Sequence, residues 1–389
     1  MVTQAEKILT GSLIPFWHGL RDDEFGGFYG LMNFDLGINK KADKGCILNS
    51  RILWFFANAY MLLKEDSLLN DARHAYQFLQ EHCIDKENGG VYWSVHYDGN
   101  AADSSKHTYN QAFAVYALAS YYEASQDEEA LALAFEIYRL IEGKCSDPGG
   151  YGEAFDRTFK PVSNEKLSEN GIMAARTMNT LLHVFEAYSG LYHAQKNDEV
   201  KQCLRRILDT FVGKVYNPEK NRLEVFFDAD MNSIIDLHSY GHDIEVSWLV
   251  DWGTSLLGDE ALIGKIGAIT SSLARQIFTT AYHERSVWYE CEKGVNATYR
   301  EWWVQAEALV GFLHEYQKHP ERTEYFDAAK DIMSFIQEYM VDQRPGSEWY
   351  ARVDEKGRPD TSQPIVGPWK CPYHNGRMCF EIIRRQKCG

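Results

Sequence analysis

A repeat constrains this chain more than any other feature. The segments GGFYGLM from Gly26, GGVYWSV from Gly89 and GGYGEAF from Gly149 share an aromatic, β-prone pattern opened by paired glycines. Three weaker copies follow: NRLEVFF from Asn221, RSVWYEC from Arg285 and GSEWYAR from Gly346. Aligned on residues 27, 90, 150, 222, 286 and 347, they stand 63, 60, 72, 64 and 61 residues apart. Self-similarity at such a period marks a supersecondary unit that cannot bury its apolar face alone and must pack on copies of itself.

Two helical patterns flank each copy. Those at 4–18, 69–83, 128–142, 199–212, 260–278 and 322–340 are charged and amphipathic. Those at 50–63, 109–123, 173–192, 242–256, 300–316 and 375–385 carry Leu, Ala, Phe, Trp and Tyr on most faces, the mark of helices buried all round. Six units of outer helix, short β hairpin and inner helix are satisfied together when the inner helices form a ring sheathed by the outer ones. The expected fold is therefore all-α. It is an (α/α)6 barrel, or toroid, of six helical hairpins with short β hairpins at one end, in a single domain spanning 1–389. An open solenoid would need polar caps, and neither end of the chain looks like one.

Composition excludes several partners. Acidic residues (56) outnumber basic ones (40), and the net charge of −16 is a poor footprint for nucleic acid or an anionic membrane. Apolar residues at 45% and charged residues at 25% exclude disordered, collagenous and coiled-coil classes. The opening MVTQAEKILTGSLIPFW lacks the basic start and apolar run of an export signal. No uninterrupted apolar run approaches the ~18 residues of a membrane span. Eight cysteines without a C-x-x-C pair read as reduced thiols, so the expected compartment is the cytoplasm. Ten Trp, 23 Tyr and 20 Phe, 14% of the chain, suit both a large core and a site that stacks on flat ligand faces.

In a toroid the loops before the inner helices line one mouth of the central funnel, so polar residues at the six helix starts are the site candidates. Arg51 stands in LNSRILWFF, and Tyr109 and Asn110 open the second inner helix. Asn179 and His183 lie four apart, on one face. His242 and Glu245 open the fourth in YGHDIEVSWL, with Trp248 a turn further on. Trp303 and Glu307 lie in REWWVQAEAL, and Trp369 and His374 in GPWKCPYHNGRM. Charged groups and histidines on apolar helices are costly to bury without a task or a partner. The other ten histidines fall mostly on outer helices or loops. His238 and His242 form H-x-x-x-H, but His238 precedes the helix start, so no metal site is expected.

Imidazoles titrating near pH ~6.5 move protons in either direction at neutral pH. Two of them on opposite faces of a carbon beside a carbonyl can remove a proton from one side and return it on the other. The oxyanion so formed needs fixed donors, for which Arg51, His183 and Tyr109 are candidates. Trp303 and Trp369 offer flat faces to sugar rings, and Asn179, Glu245 and Glu307 offer bonds to hydroxyls. Core packing explains each tryptophan equally well. Glu245 and Glu307 also permit a second reading, the acid and base of a toroid glycoside hydrolase.

At RDDEFGGFYG, NSR, NTLLH, GHDIEVSWL, REWWVQAEAL and GPWKCPYHNGRM the sequence resembles the N-acylglucosamine 2-epimerase superfamily, over essentially its whole length. The resemblance implies cofactor-free, reversible epimerisation at C2 of the reducing-end glucose of a β-1,4-linked disaccharide, with N-acylglucosamine as the alternative substrate. It implies ring opening, then C2 proton exchange by His374 and His242 through a cis-enediol, with His183 and Arg51 stabilising O1 and O2. Glu245 and Glu307 would orient histidines and hydroxyls, Trp369 and Trp303 would cradle the two sugar units, and the chain would act as a monomer.

Overall fold

The computed structural model describes residues 1–167 and 171–387; Cys388 lies outside them. The outer layer begins with α1 (Val2–Ile8), a π-helical turn and α2 (Ile14–His18), and continues with α4 (Asp66–Phe78), α6 (Glu128–Leu140), α8 (Asp198–Thr210), α10 (Glu260–Thr280) and α12 (Thr323–Phe335). The inner layer is α3 (Cys46–Leu63), α5 (Thr108–Ser125), α7 (Met178–Ala194), α9 (Tyr240–Ser255), α11 (Trp302–Lys318) and α13 (His374–Lys387). Each inner helix packs on the next, and α13 returns to α3, so the ring closes. The outer helices α4, α6, α8, α10 and α12 each back the inner helix before them, and α1 backs α13. The toroid expected from the repeat is the observed fold.

Local chemistry sets the helix ends. Asp127 and Asn197 cap α6 and α8 by accepting two backbone N–H bonds each, and Asp259 caps α10. Lys64 and Gln126 end α3 and α5 in left-handed conformation. The third inner helix starts at Met178 rather than 173, because Arg176–Thr177 is drawn into a ladder with Phe226–Phe227 of the next unit. By length and composition α3 resembles a membrane span, but here it is an inner helix of the ring, mostly buried.

Short strands stitch neighbouring units. Five strands that lead into inner helices pair with a strand of the following unit: Lys44–Gly45 with Ser94–Val95, Lys106–His107 with Ala154–Phe155, Arg176–Thr177 with Phe226–Phe227, Leu237–Ser239 with Glu290–Glu292, and Arg300–Glu301 with Arg352–Val353. A Met32–Val366 bridge and the bond from the Trp17 indole N–H to Glu348 join the last unit to the first. The repeat turns are held from inside. Gly27 and Gly90 take φ of +64° and +69°, and the next residue donates its N–H to Asn49 or Gln111 of the inner helix. Gln305 serves Val287 in the same way. The starts of α3, α5 and α11 are thereby tied to a hairpin, which fixes the residues around them.

Candidate active site

Nine of the twelve residues singled out from the sequence line one cavity of about 330 Å³: Arg51, Tyr109, Asn179, His183, His242, Glu245, Trp303, Trp369 and His374. The other three do not reach it: Asn110 is buried and donates its side-chain N–H to the Tyr92 carbonyl at 2.7 Å. Trp248 and Glu307 are buried behind the wall, where the indole N–H donates to Glu307 at 3.0 Å and the Arg377 guanidinium lies 4.9 Å from the indole. Neither residue lines the cavity, and Glu307 meets the His374 ring at Nδ1 instead. The helical turn that carries each of them faces the neighbouring helix rather than the funnel.

Every histidine on the wall has Nδ1 engaged, which leaves Nε2 for a ligand. His183 Nδ1 lies 2.8 Å from Glu186, His242 Nδ1 2.7 Å from the Ser239 hydroxyl, and His374 Nδ1 2.7 Å from Glu307. A carboxylate only accepts, so the proton of His183 and of His374 is assigned to Nδ1. Burial pushes His242 down to about 4 and drives His374 well below the ordinary value, with Arg377 and Arg51 adding to the effect there and Glu245 opposing it. Both imidazoles are therefore neutral at pH 7. They also share a neighbour: Trp303 has ring centroids 4.9 Å from His242 and 5.5 Å from His374. That placement needs Gly241, where a Cβ would come 2.4 Å from the Trp303 ring.

Arg51 donates to the Tyr109 hydroxyl at 2.8 Å and lies 4.0 Å from the Phe113 ring centre. Burial raises the Tyr109 phenol to about 12, with Arg51 opposing. Its hydroxyl accepts from Arg51 and keeps its own proton to donate. The buried Glu245 Oε2 and the Asn179 side-chain oxygen have no hydrogen-bond partner among the described residues, so both await donors. Trp369 stands at the rim, 41% exposed, edge-on to Trp93 and Tyr109.

Behind the wall lies a hub that sequence reading did not find. Arg377 is buried and bonds Glu186 at 2.5 Å, Glu307 at 2.7 Å and Glu245, carboxylates from three different inner helices. Tyr373 donates to the same Glu186 oxygen that Arg377 engages. Burial alone would raise Glu186, but Arg377 and His183 pull it down to about 2, whereas burial keeps Glu307 above its ordinary value. A signal was present. The three-residue spacing of His242 and Glu245 recurs in Ser239–His242, His183–Glu186 and His374–Arg377.

The geometry narrows the chemistry. Ligand atoms of Glu245, Glu307 and His374 lie within 4.8 Å of one another, but Arg377 Nη2 bonds both carboxylates and lies 3.5 Å from His374 Nδ1. A guanidinium occupies the place a cation would take. His238 pairs with Asp243 at 2.7 Å, not with His242. A hydrolytic acid and base must flank the scissile bond. Glu245 and Glu307 instead share one guanidinium, and Glu307 is off the wall. Of the remaining histidines, His193 and His314 do lie on inner helices, in the later turns of α7 and α11.

Its sequence and structural relatives place the chain among (α/α)6-barrel enzymes of the isomerase class. The profile of the N-acylglucosamine 2-epimerase (GlcNAc 2-epimerase) family matches residues 26–375, and the chain belongs to that family. It is 50% identical to the cellobiose 2-epimerase of Eubacterium cellulosolvens, with 97% of each chain covered. It is 49% identical to that of Ruminococcus albus, with 99% of each covered. Among solved structures, a sugar epimerase from a ruminal bacterium superposes with a TM-score of 0.98 at 49% identity, with 99% of each chain covered.

Proposed function

We propose that this chain epimerises the reducing-end glucose of a β-1,4-linked disaccharide at C2, converting cellobiose reversibly to glucosyl-mannose. The observation that carries this reading is the pair His242 and His374: both neutral, both with Nδ1 engaged, both against Trp303. The relatives named as cellobiose 2-epimerases support the choice of substrate. Opening the hexose ring exposes a C1 carbonyl, which acidifies the C2 proton. Nε2 of one histidine takes that proton, the electron pair of the C–H bond forms the C1=C2 bond, and the carbonyl π pair moves onto O1 to give a cis-enediolate. Arg51 and the Tyr109 hydroxyl suit the role of donors to O1, and His183, with its proton on Nδ1, accepts at Nε2 from the O2 hydroxyl. After rotation of the intermediate, the other histidine, having taken a proton from solvent at Nε2, delivers it to the opposite face of C2, and the first releases its proton to solvent. Protons taken and given balance, and the oxidation level of the sugar is unchanged.

Glu307 holds the His374 ring, and Trp248 with Arg377 holds Glu307. Glu245 Oε2 and Asn179 accept from sugar hydroxyls. Trp303 and Trp369 offer apolar faces to the two rings. Incubation with cellobiose in deuterated water should yield glucosyl-mannose carrying deuterium at C2. Product without label, or no product, overturns the proposal.

A further inference from the structure

We propose that Glu186 is a positioning residue for this reaction, acting through His183 and held in place by Tyr373 and Arg377. The role rests on the reading of the site just given. Glu186 is 1% exposed and does not line the cavity, so it cannot touch substrate. Its Oε2 meets His183 Nδ1 at 2.8 Å, while its Oε1 takes the Tyr373 hydroxyl and Arg377 Nη1. With both oxygens engaged from opposite sides, the carboxylate has one orientation.

A neutral imidazole has two tautomers and can flip its ring, so a histidine on a cavity wall presents a defined nitrogen only if its other end is fixed. Glu186 does this for His183. An ionised carboxylate admits only a proton-bearing Nδ1, and Nε2 is then the nitrogen presented to the sugar oxygens. Tyr109 and Phe113 of α5 pack against the ring at 5.1 and 4.9 Å, and the hydrogen bond to Glu186 fixes which nitrogen faces the cavity. Glu307 stands in the same relation to His374, whereas His242 has only the Ser239 hydroxyl, which donates or accepts. Arg377 thus anchors the orienting carboxylates of two histidines at once.

A mutant cycle tests the assignment. Glu186→Gln should lower kcat about 10–100-fold and leave KM within about twofold, the loss usual for a group that orients an active-site ligand. In a His183→Asn background the same substitution should cost less than about twofold, because Glu186 then has nothing left to orient. Losses that multiply across the two sites, as a merely structural residue would give, overturn the proposal. Should Glu186→Gln fail to fold, Tyr373→Phe removes one lock and should lower kcat about two- to tenfold, again only while His183 is present. A readout without turnover keeps the two proposals separate. In the unliganded parent, 15N-histidine NMR should show a proton on His183 Nδ1; a bare Nδ1 refutes the role of Glu186 whatever the substrate. Absence of C2 exchange in the parent refutes the disaccharide reading instead.

Discussion

Replacing His374 with asparagine separates the two halves of the proposed proton transfer. His242 keeps its Ser239 contact and its place against Trp303. Glu307 loses one partner but retains Arg377 at 2.7 Å and the Trp248 N–H at 3.0 Å. No bare buried carboxylate is created, and the cost in stability is one hydrogen bond, about 1 kcal/mol. The rate cost is larger. A positioned acid–base group contributes about 10²–10⁴-fold, or ~3–5 kcal/mol of barrier, and epimerisation needs both groups. The assay is 1H NMR of the C2 signal in deuterated water, starting from each epimer in turn. His242 alone still withdraws a proton and returns deuterium on its own face. One epimer of the His374→Asn protein therefore exchanges without inverting, and the other is inert. His242→Asn should reverse which epimer exchanges. Inversion at near-parental rate, or equal exchange from both epimers, refutes the two-base scheme.

Trp369→Ala should raise KM for the disaccharide up to about tenfold, the order of one lost aromatic contact, while leaving Tm nearly unchanged because the ring stands at the rim. Burial raises the Glu153 carboxyl to about 7, so its charged form penalises the fold above that pH; Glu153→Gln should raise Tm at pH 8 and change it little at pH 5. In that background acidification should destabilise the protein. Burial holds His242 and His107 down at about 4, so only the unfolded chain takes up their protons as pH falls from about 6.5 to 4, at ~1.4 kcal/mol per pH unit for each group; urea midpoints at pH 7 and 5 measure it. Arg377→Met strips the shared partner from three buried carboxylates and should cost about 3–5 kcal/mol, read as a lowered urea midpoint.

Most of the architecture was legible in the sequence because its causes are local. Paired glycines recur in three units, aromatic hairpin segments and helical periodicity in all six, and copies that cannot bury themselves alone have few ways to assemble. The helix-start rule found nine wall residues for the same reason: three- and four-residue spacings place side chains on one face whatever surrounds the helix. What failed depended on distant chain. Thr177 leaves the third helix because Phe226 offers it a ladder, and Trp248 and Glu307 face a neighbouring helix that periodicity on their own helix cannot see. Arg377 is the clearest case. Its position three residues after His374 was readable, but its three carboxylate partners come from α7, α9 and α11 and meet only when the ring has closed. A buried charge is stable only where opposite charges converge on it, and that convergence belongs to the tertiary structure.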